Sequence, residues 1–327
     1  MTKKQTTSAN GKSLASLIQY YETCNKCEGK SPKTILFYTS NLKLFQSYVN
    51  SRHLPDSIDK FDINLLRDYI AHLMNRNKYQ AHPSRATSNE PVSAATVHCH
   101  VRTLRAFFGW LHREGLMKEN IGSNLKPPKI PQKIISTLSN DEIRAILDSF
   151  NQSNPTDFRN KTIFMVLVDS GLRIGELVNL KMAGIKQDGS ILQVMGKGQK
   201  ERIVPIGVNA QRALQKYLFR YRPQPVNAEI DYVFLSQYGQ HLAENGVKLA
   251  LKRVAIKSGV NRLHAHLCRH TFATVFLNNG GDIFTLQQIL GHSTLEMVRH
   301  YANISSSQVQ LQHKKCSPLD RLGSRQT

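Results

Sequence analysis

Three prolines stand in the stretch NLKPPKIPQKI, Asn124 to Ile134, and they constrain this chain more than any other segment of it. Proline fixes its own φ, donates no backbone hydrogen bond and pushes the preceding residue out of the helical region. The segment therefore reads as an extended strap, and its three lysines suit passage along a polyanion. The chain must fold as separate bodies on either side of it, and 327 residues give ample length for two buried cores. The expected organisation is a helical domain over 13–124, a basic linker over 125–138 and a mixed α/β domain over 139–312. A flexible polar tail at 1–12 and a polar tail at 313–327 complete it.

The periodicities differ on the two sides. Before the strap every apolar stripe has helical spacing. SPKTILFYTSNLKLFQSYVNS opens on Ser31 as N-cap with Pro32 in the first turn, and Ile35, Tyr38, Leu42, Phe45 and Val49 form one face. LASLIQYYETC precedes it as a helix, and DINLLRDYIAHLMN follows it, capped by Asp62. RNKYQAHPSRATSNEP is a loop. A fourth helix runs through SAATVHCHVRTLRAFFGWLHREG, with Val97, Val101, Leu104, Phe108 and Leu111 as its buried face and Gly115 ending it. Its other faces carry Arg102, Arg105 and Arg113.

After the strap the patterns mix. Ser139 with Glu142 is a capping box, RNKTIFMVLVDSG is an apolar helix stopped by Gly171, and RIGELVNLK is a further helix. SILQVMGKGQKERIVPI reads as a β-hairpin around a Gly-Lys-Gly turn, and DYVFLS as a short strand. NAQRALQKYLFRY, AENGVKLALKRVAIKSG, HLCRHTFATVFLNNG and DIFTLQQILG are helical. The fold class is mainly α with a small β-sheet.

Charge narrows the function. The formal net charge is +21, shared as +11 up to Ser136 (20 basic, 9 acidic) and +10 beyond it (24 basic, 14 acidic). A basic excess on both bodies suits a clamp around nucleic acid, with Arg102, Arg105, Lys126 and Lys129 as candidate DNA contacts. No apolar run reaches the roughly 18 residues of a membrane span, and MTKKQTTSANGKS lacks the apolar stretch of a secretory signal, so a cytoplasmic protein is expected. Five cysteines, an odd number, then argue for reduced thiols. Cys24-x-x-Cys27 has zinc-like spacing, and His98-Cys99-His100 could complete a set, but no second CxxC exists and no metal is expected.

Four patches remain in the second domain. They are DSGLRIGELVNLK with Arg173, GKGQKE with Lys197, HLCRH from His266 to His270, and LGHSTLEMVRHYANI with His292 and Tyr301. Each has a bland reading. Arg173 could pair with Glu176 at a helix start, Lys197 could be solvated, and Tyr301 could be partly buried. GKGQK lacks the spacing of a phosphate-binding P-loop. His266 and His270, with His264 nearby, could face a metal, but there is no HExxH and Arg269 would repel a cation.

Taken in order, the patches resemble the tyrosine recombinases, or phage integrase family, whose motif is arginine, a hairpin lysine, His-x-x-Arg, histidine or tryptophan, then tyrosine. The phrases GLRIGEL, RHTFAT and LGH read like that family's own, and the resemblance covers about Ser13 to Ser306. It implies a helical core-binding, SAM-like N-terminal domain and an α/β catalytic domain. One departure is Asn120-Ile121, where the family often has Asn-Pro.

The resemblance implies a site-specific recombinase that cuts and rejoins DNA through a covalent 3′-phosphotyrosine, without ATP, metal or other cofactor. Arg173 and Arg269 would fork the non-bridging phosphate oxygens, where charge develops. Lys197 would protonate the leaving 5′-oxygen, and Tyr301 would attack phosphorus, with His266 taking its proton. His292 would hydrogen-bond the phosphate, and Glu176 and His270 would support. The implied partners are double-stranded DNA with a specific core site and a homotetramer on two duplexes, acting at the nucleoid of a bacterial or mobile-element host. A relaxing topoisomerase of the tyrosine type and a non-catalytic DNA-binding protein are the alternatives. The resemblance leaves two expectations for the C-terminal segment SSSQVQLQHKKCSPLDRLGSRQT, 305–327: it docks into a neighbouring protomer, as often in the family, or it is disordered.

Overall fold

Side-chain caps open the helices of the N-terminal unit. In this computed structural model they are α1 (Leu14–Cys27), α2 (Pro32–Ser51), α3 (Ile63–Met74) and α4 (Ala94–Arg113), and Ser13, Ser31, Asp62 and Ser93 each accept a backbone N–H from the first turn. Each such cap satisfies a donor that the helix start would otherwise leave to water. The structure describes residues 13–78, 80, 86–130, 136–186, 189–196, 201–292, 294–299, 313 and 317. The expected tail at 1–12, Lys197, Tyr301 and most of the tail at 313–327 lie outside the described residues.

The chain divides into two compact units, 1–134 and 135–327. In the first, the stripes expected from periodicity do meet. Leu42, Phe45 and Val49 of α2 pack with Leu66 and Tyr69 of α3 and with Val97, Val101, Leu104, Phe108 and Leu111 of α4. Aromatic edges lock this core, as between Phe45 and Tyr69, whose ring centroids are 5.0 Å apart. Arg102, Arg105 and Arg113 point to solvent. Beyond Gly122 the chain from 125 to 130 has no regular structure, with Lys126 and Lys129 exposed and Leu125 buried in the first core. Leu138 is buried in the second core.

The second unit opens on α5 (Asn140–Asp148), whose capping box pairs Ser139 and Glu142. Then α6 (Pro155–Ser170) runs through the core and packs on α10 (Ala265–Asn278). A short α7 (Ile174–Val178) follows, then a three-stranded antiparallel sheet in the order β1 (Ile185–Lys186), β2 (Ile191–Met195), β3 (Glu201–Pro205). The hairpin places Leu192 opposite Val204 and Val194 opposite Arg202. After it come α8 (Val208–Lys216), a π-helical turn over Tyr217–Tyr221, α9 (Glu244–Ser258), α10, α11 (Ile283–Leu290) and α12 (Glu296–Arg299).

One expected element is corrected. DYVFLS is not a strand of the sheet; it makes two isolated bridges, Lys181 to Tyr232 and Leu235 to His241. Val233, Phe234 and Leu235 are all buried, so the run is apolar on both faces. The chain then reverses through Gly239, whose φ is +72°, before a ladder can extend. Among the described residues no helix is long and apolar enough to cross a membrane.

Candidate active site

The site is built where the end of α6, the end of α11 and the start of α10 converge, and glycine decides two of them. Gly171 ends α6 in the left-handed region, with φ +64°. A Cβ there would lie 2.5 Å from Phe272 of α10 and 2.8 Å from Leu290 of α11, so the turn is pressed against both helices. It delivers Arg173 to the start of α7. There Glu176 accepts the Arg173 backbone N–H at 2.9 Å and an Arg173 guanidinium N–H at 2.9 Å. The bland pairing of Arg173 with Glu176 is thus real, and it coexists with an Arg173 side chain still 37% exposed.

The second glycine, Gly291, ends α11 with φ +63°. The last carbonyls of a helix lack intrahelical partners and carry its negative dipole end. Here guanidiniums supply the donors. Leu290 O accepts from Arg269 Nη2 at 2.8 Å and from Arg173 Nη1 at 3.3 Å, and Ile289 O accepts from Arg202 Nε at 2.7 Å. Beyond Gly291 the chain is tied back by Gln287, whose side-chain amide donates to His292 O at 3.1 Å. That places His292 Nε2 2.7 Å from Arg269 Nη2. A guanidinium only donates, so Nε2 accepts and the imidazole is neutral. Desolvation, then the charges of Arg269, Arg173 and Arg202, push its pKa down to about 4.

Helix α10 contributes the third edge. His264 is its N-cap residue, its Nδ1 donating to Arg262 O at 2.7 Å. His266 sits on the first turn and opens to solvent. Partial desolvation, then the charges of Arg269, His264, His270 and Arg173, hold its pKa below the usual histidine range. It is therefore a neutral base at neutral pH. Arg269, one turn on, is only 2% exposed and also donates from Nη1 to Gly171 O at 2.6 Å. His270 is half-buried on the same helix.

Arg173, Glu176, Arg269 and His292 are thus joined by hydrogen bonds, and His266 and His270 stand on α10 beside them. Lys197 falls between β2 and β3 and Tyr301 follows α12 in sequence; both lie outside the described residues. Arg102, Arg105, Lys126 and Lys129 belong to the other unit. Among the described residues no group of histidine, cysteine, aspartate and glutamate could hold a metal ion. Cys24 and Cys27 are free thiols on α1, and burial pushes the Cys268 thiol on α10 up to about 12.

Sequence reasoning missed Arg202. It forks Glu176 from β3, Nη1 to Oε1 and Nη2 to Oε2, both at 2.8 Å. A signal was available. In a strand, residues two apart share a face, and Arg202 shares one with the buried Val204, while Ile203 is 65% exposed. An arginine on the apolar parity of a strand is a buried arginine, and a buried arginine needs an anion.

Known proteins share this architecture. The profile described as "Phage integrase family" matches residues 136–308, and that of the "Phage integrase SAM-like domain" matches 16–126. The tyrosine recombinase XerD of Listeria monocytogenes is 31% identical over 296 residues, 89% of this chain and 94% of that protein. The tyrosine recombinase XerD of Staphylococcus aureus is 28% identical over 293 residues, with the same coverage. A XerH site-specific recombinase, solved bound to palindromic difH substrate as a post-cleavage complex, is 22% identical. It has a TM-score of 0.67 over 91% of this chain and 84% of that one, which speaks to fold.

Proposed function

The chain belongs to the phage integrase family of tyrosine recombinases, and on that premise we propose that its arginine cluster grips the scissile phosphate of a DNA core site. The observation that carries this is the convergence of Arg173 and Arg269 on one oxygen, Leu290 O, at 3.3 and 2.8 Å. Two guanidiniums that share a carbonyl oxygen stand close enough to share a phosphate. Both are held beside one another by main-chain carbonyls before DNA arrives, so only a local exchange of hydrogen-bond partners is needed when charge develops on the non-bridging oxygens.

Tyr301 attacks phosphorus. Its Oη–P bond forms as the P–O5′ bond breaks, its proton passes to neutral His266, and Lys197 protonates the departing O5′. A phosphate oxygen that draws Arg269 Nη2 frees His292 Nε2, and the other imidazole tautomer then donates to the same phosphate. Glu176 orients Arg173. The products are a 3′-phosphotyrosine and a 5′-hydroxyl. Attack by a 5′-hydroxyl from a second duplex reverses the step and reseals DNA, since the phosphotyrosyl ester retains the energy of the broken bond.

In this reading the helical unit over 13–124 and the linker over 125–138 close around the duplex, with Arg102, Arg105, Lys126 and Lys129 on phosphates. Four copies act on two duplexes at the nucleoid. The test is Tyr301→Phe. The variant binds core-site DNA but forms no covalent adduct on a nicked duplex. An adduct from the Phe variant would remove Tyr301 as nucleophile.

A further inference from the structure

We infer that Arg202 is a positioning residue of the phosphate grip, acting through Glu176 on Arg173. This rests on the reading that Arg173 holds the scissile phosphate.

The Glu176 carboxylate takes four donors. Oε1 accepts from Arg173 Nη1 and Arg202 Nη1, and Oε2 from the Arg173 backbone N–H and Arg202 Nη2. The two cations differ in what else they reach. Arg202 is spent: its Nε is on Ile289 O, its side chain is 12% exposed, and Gly291 lies across it. A Cβ on Gly291 would stand 3.0 Å from Arg202 Cδ, Nε and Nη1. Arg202 therefore does not reach DNA. Arg173 keeps an open face.

That division has an electrostatic consequence. Glu176 has a side chain only 6% exposed, and a buried carboxylate binds a lone guanidinium tightly. Burial raises its pKa, but the Arg202 hydrogen bonds, the Arg173 backbone N–H and the Arg202 charge more than offset that, and the carboxyl stays ionised. With Arg202 meeting both oxygens from behind, the pull on Arg173 is divided and its guanidinium stays turned to the open side. Without Arg202, Glu176 has Arg173 alone and draws it inward. The same fork ties β3 to α7 and to the end of α11, so it fixes where Arg173 stands as well as how strongly it is held.

The experiment compares wild type, Arg202→Met and Arg202→Lys in single-turnover adduct formation. The duplex is nicked and centred on the cleavage position mapped with the wild-type protein. Three scissile links are used: the natural phosphodiester, a methylphosphonate lacking the negative oxygen, and a 5′-bridging phosphorothiolate whose sulfur leaves without a proton. On the phosphodiester, Arg202→Met is slower by about 100-fold, the scale of a small misplacement of a catalytic group. Arg202→Lys, which keeps the charge but not the fork, recovers part of this, and DNA affinity is unchanged. On the methylphosphonate the gap between Arg202→Met and wild type narrows to about threefold, because the charge that Arg173 neutralises is gone. On the phosphorothiolate it stays. A gap that persists on the methylphosphonate, or closes on the phosphorothiolate, overturns the inference. If Arg202→Met does not fold, the same ratios are read from Arg202→Lys. A wild type that makes no adduct on any link defeats instead the underlying reading of function.

Discussion

Gly171→Ala is the sharpest test of how backbone geometry serves the site, and Gly259→Ala is its control in the same unit. Both glycines end helices in the left-handed region, at φ +64° and +74°. A non-glycine residue there costs about 1–2 kcal/mol, partly offset by about 0.4–1 kcal/mol from the stiffer unfolded chain. Gly259 has nothing within 4 Å of the added Cβ, so its variant loses about 1 kcal/mol and no more. Gly171 adds a collision with Phe272 at 2.5 Å and Leu290 at 2.8 Å. Overpacking of that kind costs about 1–3 kcal/mol further, for a total near 2–4 kcal/mol. The shift also moves Gly171 O, which holds Arg269 Nη1 at 2.6 Å, so adduct formation falls at least about tenfold. Urea unfolding of the full chain, followed by a probe in the second unit, measures the first quantity, and single-turnover cleavage the second. Equal destabilisation of the two variants, or an unchanged cleavage rate in Gly171→Ala, would refute the packing argument.

Two further outcomes follow from the first unit. His100 is buried against Tyr69, with Nδ1 3.1 Å from the phenol oxygen, and desolvation followed by the Arg76 charge pushes its pKa down to about 4. A folded pKa below the unfolded value means that the unfolded chain binds the proton more readily. Stability is therefore full above about pH 6.5 and is lost as pH falls toward about 4, by up to about 3 kcal/mol from this group. Urea titrations at several pH values should show that slope shrink in His100→Leu; an unchanged slope would count against it. Arg105→Ala removes an exposed cation from α4. It should weaken DNA binding evenly across sequences and reduce the log–log salt slope by about 0.9, read by titrating salt. An identical slope would place Arg105 away from the duplex.

Much of the scaffold was legible because local chemistry and tertiary demand agreed. Ser31, Asp62, Ser93 and Ser139 cap the helices whose stripes they precede, and Gly171 and Gly291 stop helices where the apolar runs end. What stays illegible is set by tertiary packing rather than by local pattern. Val233, Phe234 and Leu235 look like a strand because they are bulky and apolar, but they fill a core from both sides and find no ladder. β1 is two residues long, too short for any period to register. Arg173 and Arg269 stand out as family-like motif residues, whereas what holds them, the carbonyls of Gly171 and Leu290, carries no side-chain signature. Arg202 stands between the exposed Glu201 and Ile203 in a five-residue strand, too short for its apolar parity to be plain from sequence.

The end of α11 has a consequence for how this protein tolerates change. Its acceptors are main-chain oxygens, which no codon substitution removes. Variation along that helix can alter its packing and leave the arginine harness intact, so long as the chain still leaves the helix in the same direction. The mutational weak point is the small residue that sets this exit, Gly291, and damage there should mimic loss of an arginine while every arginine codon is unaltered.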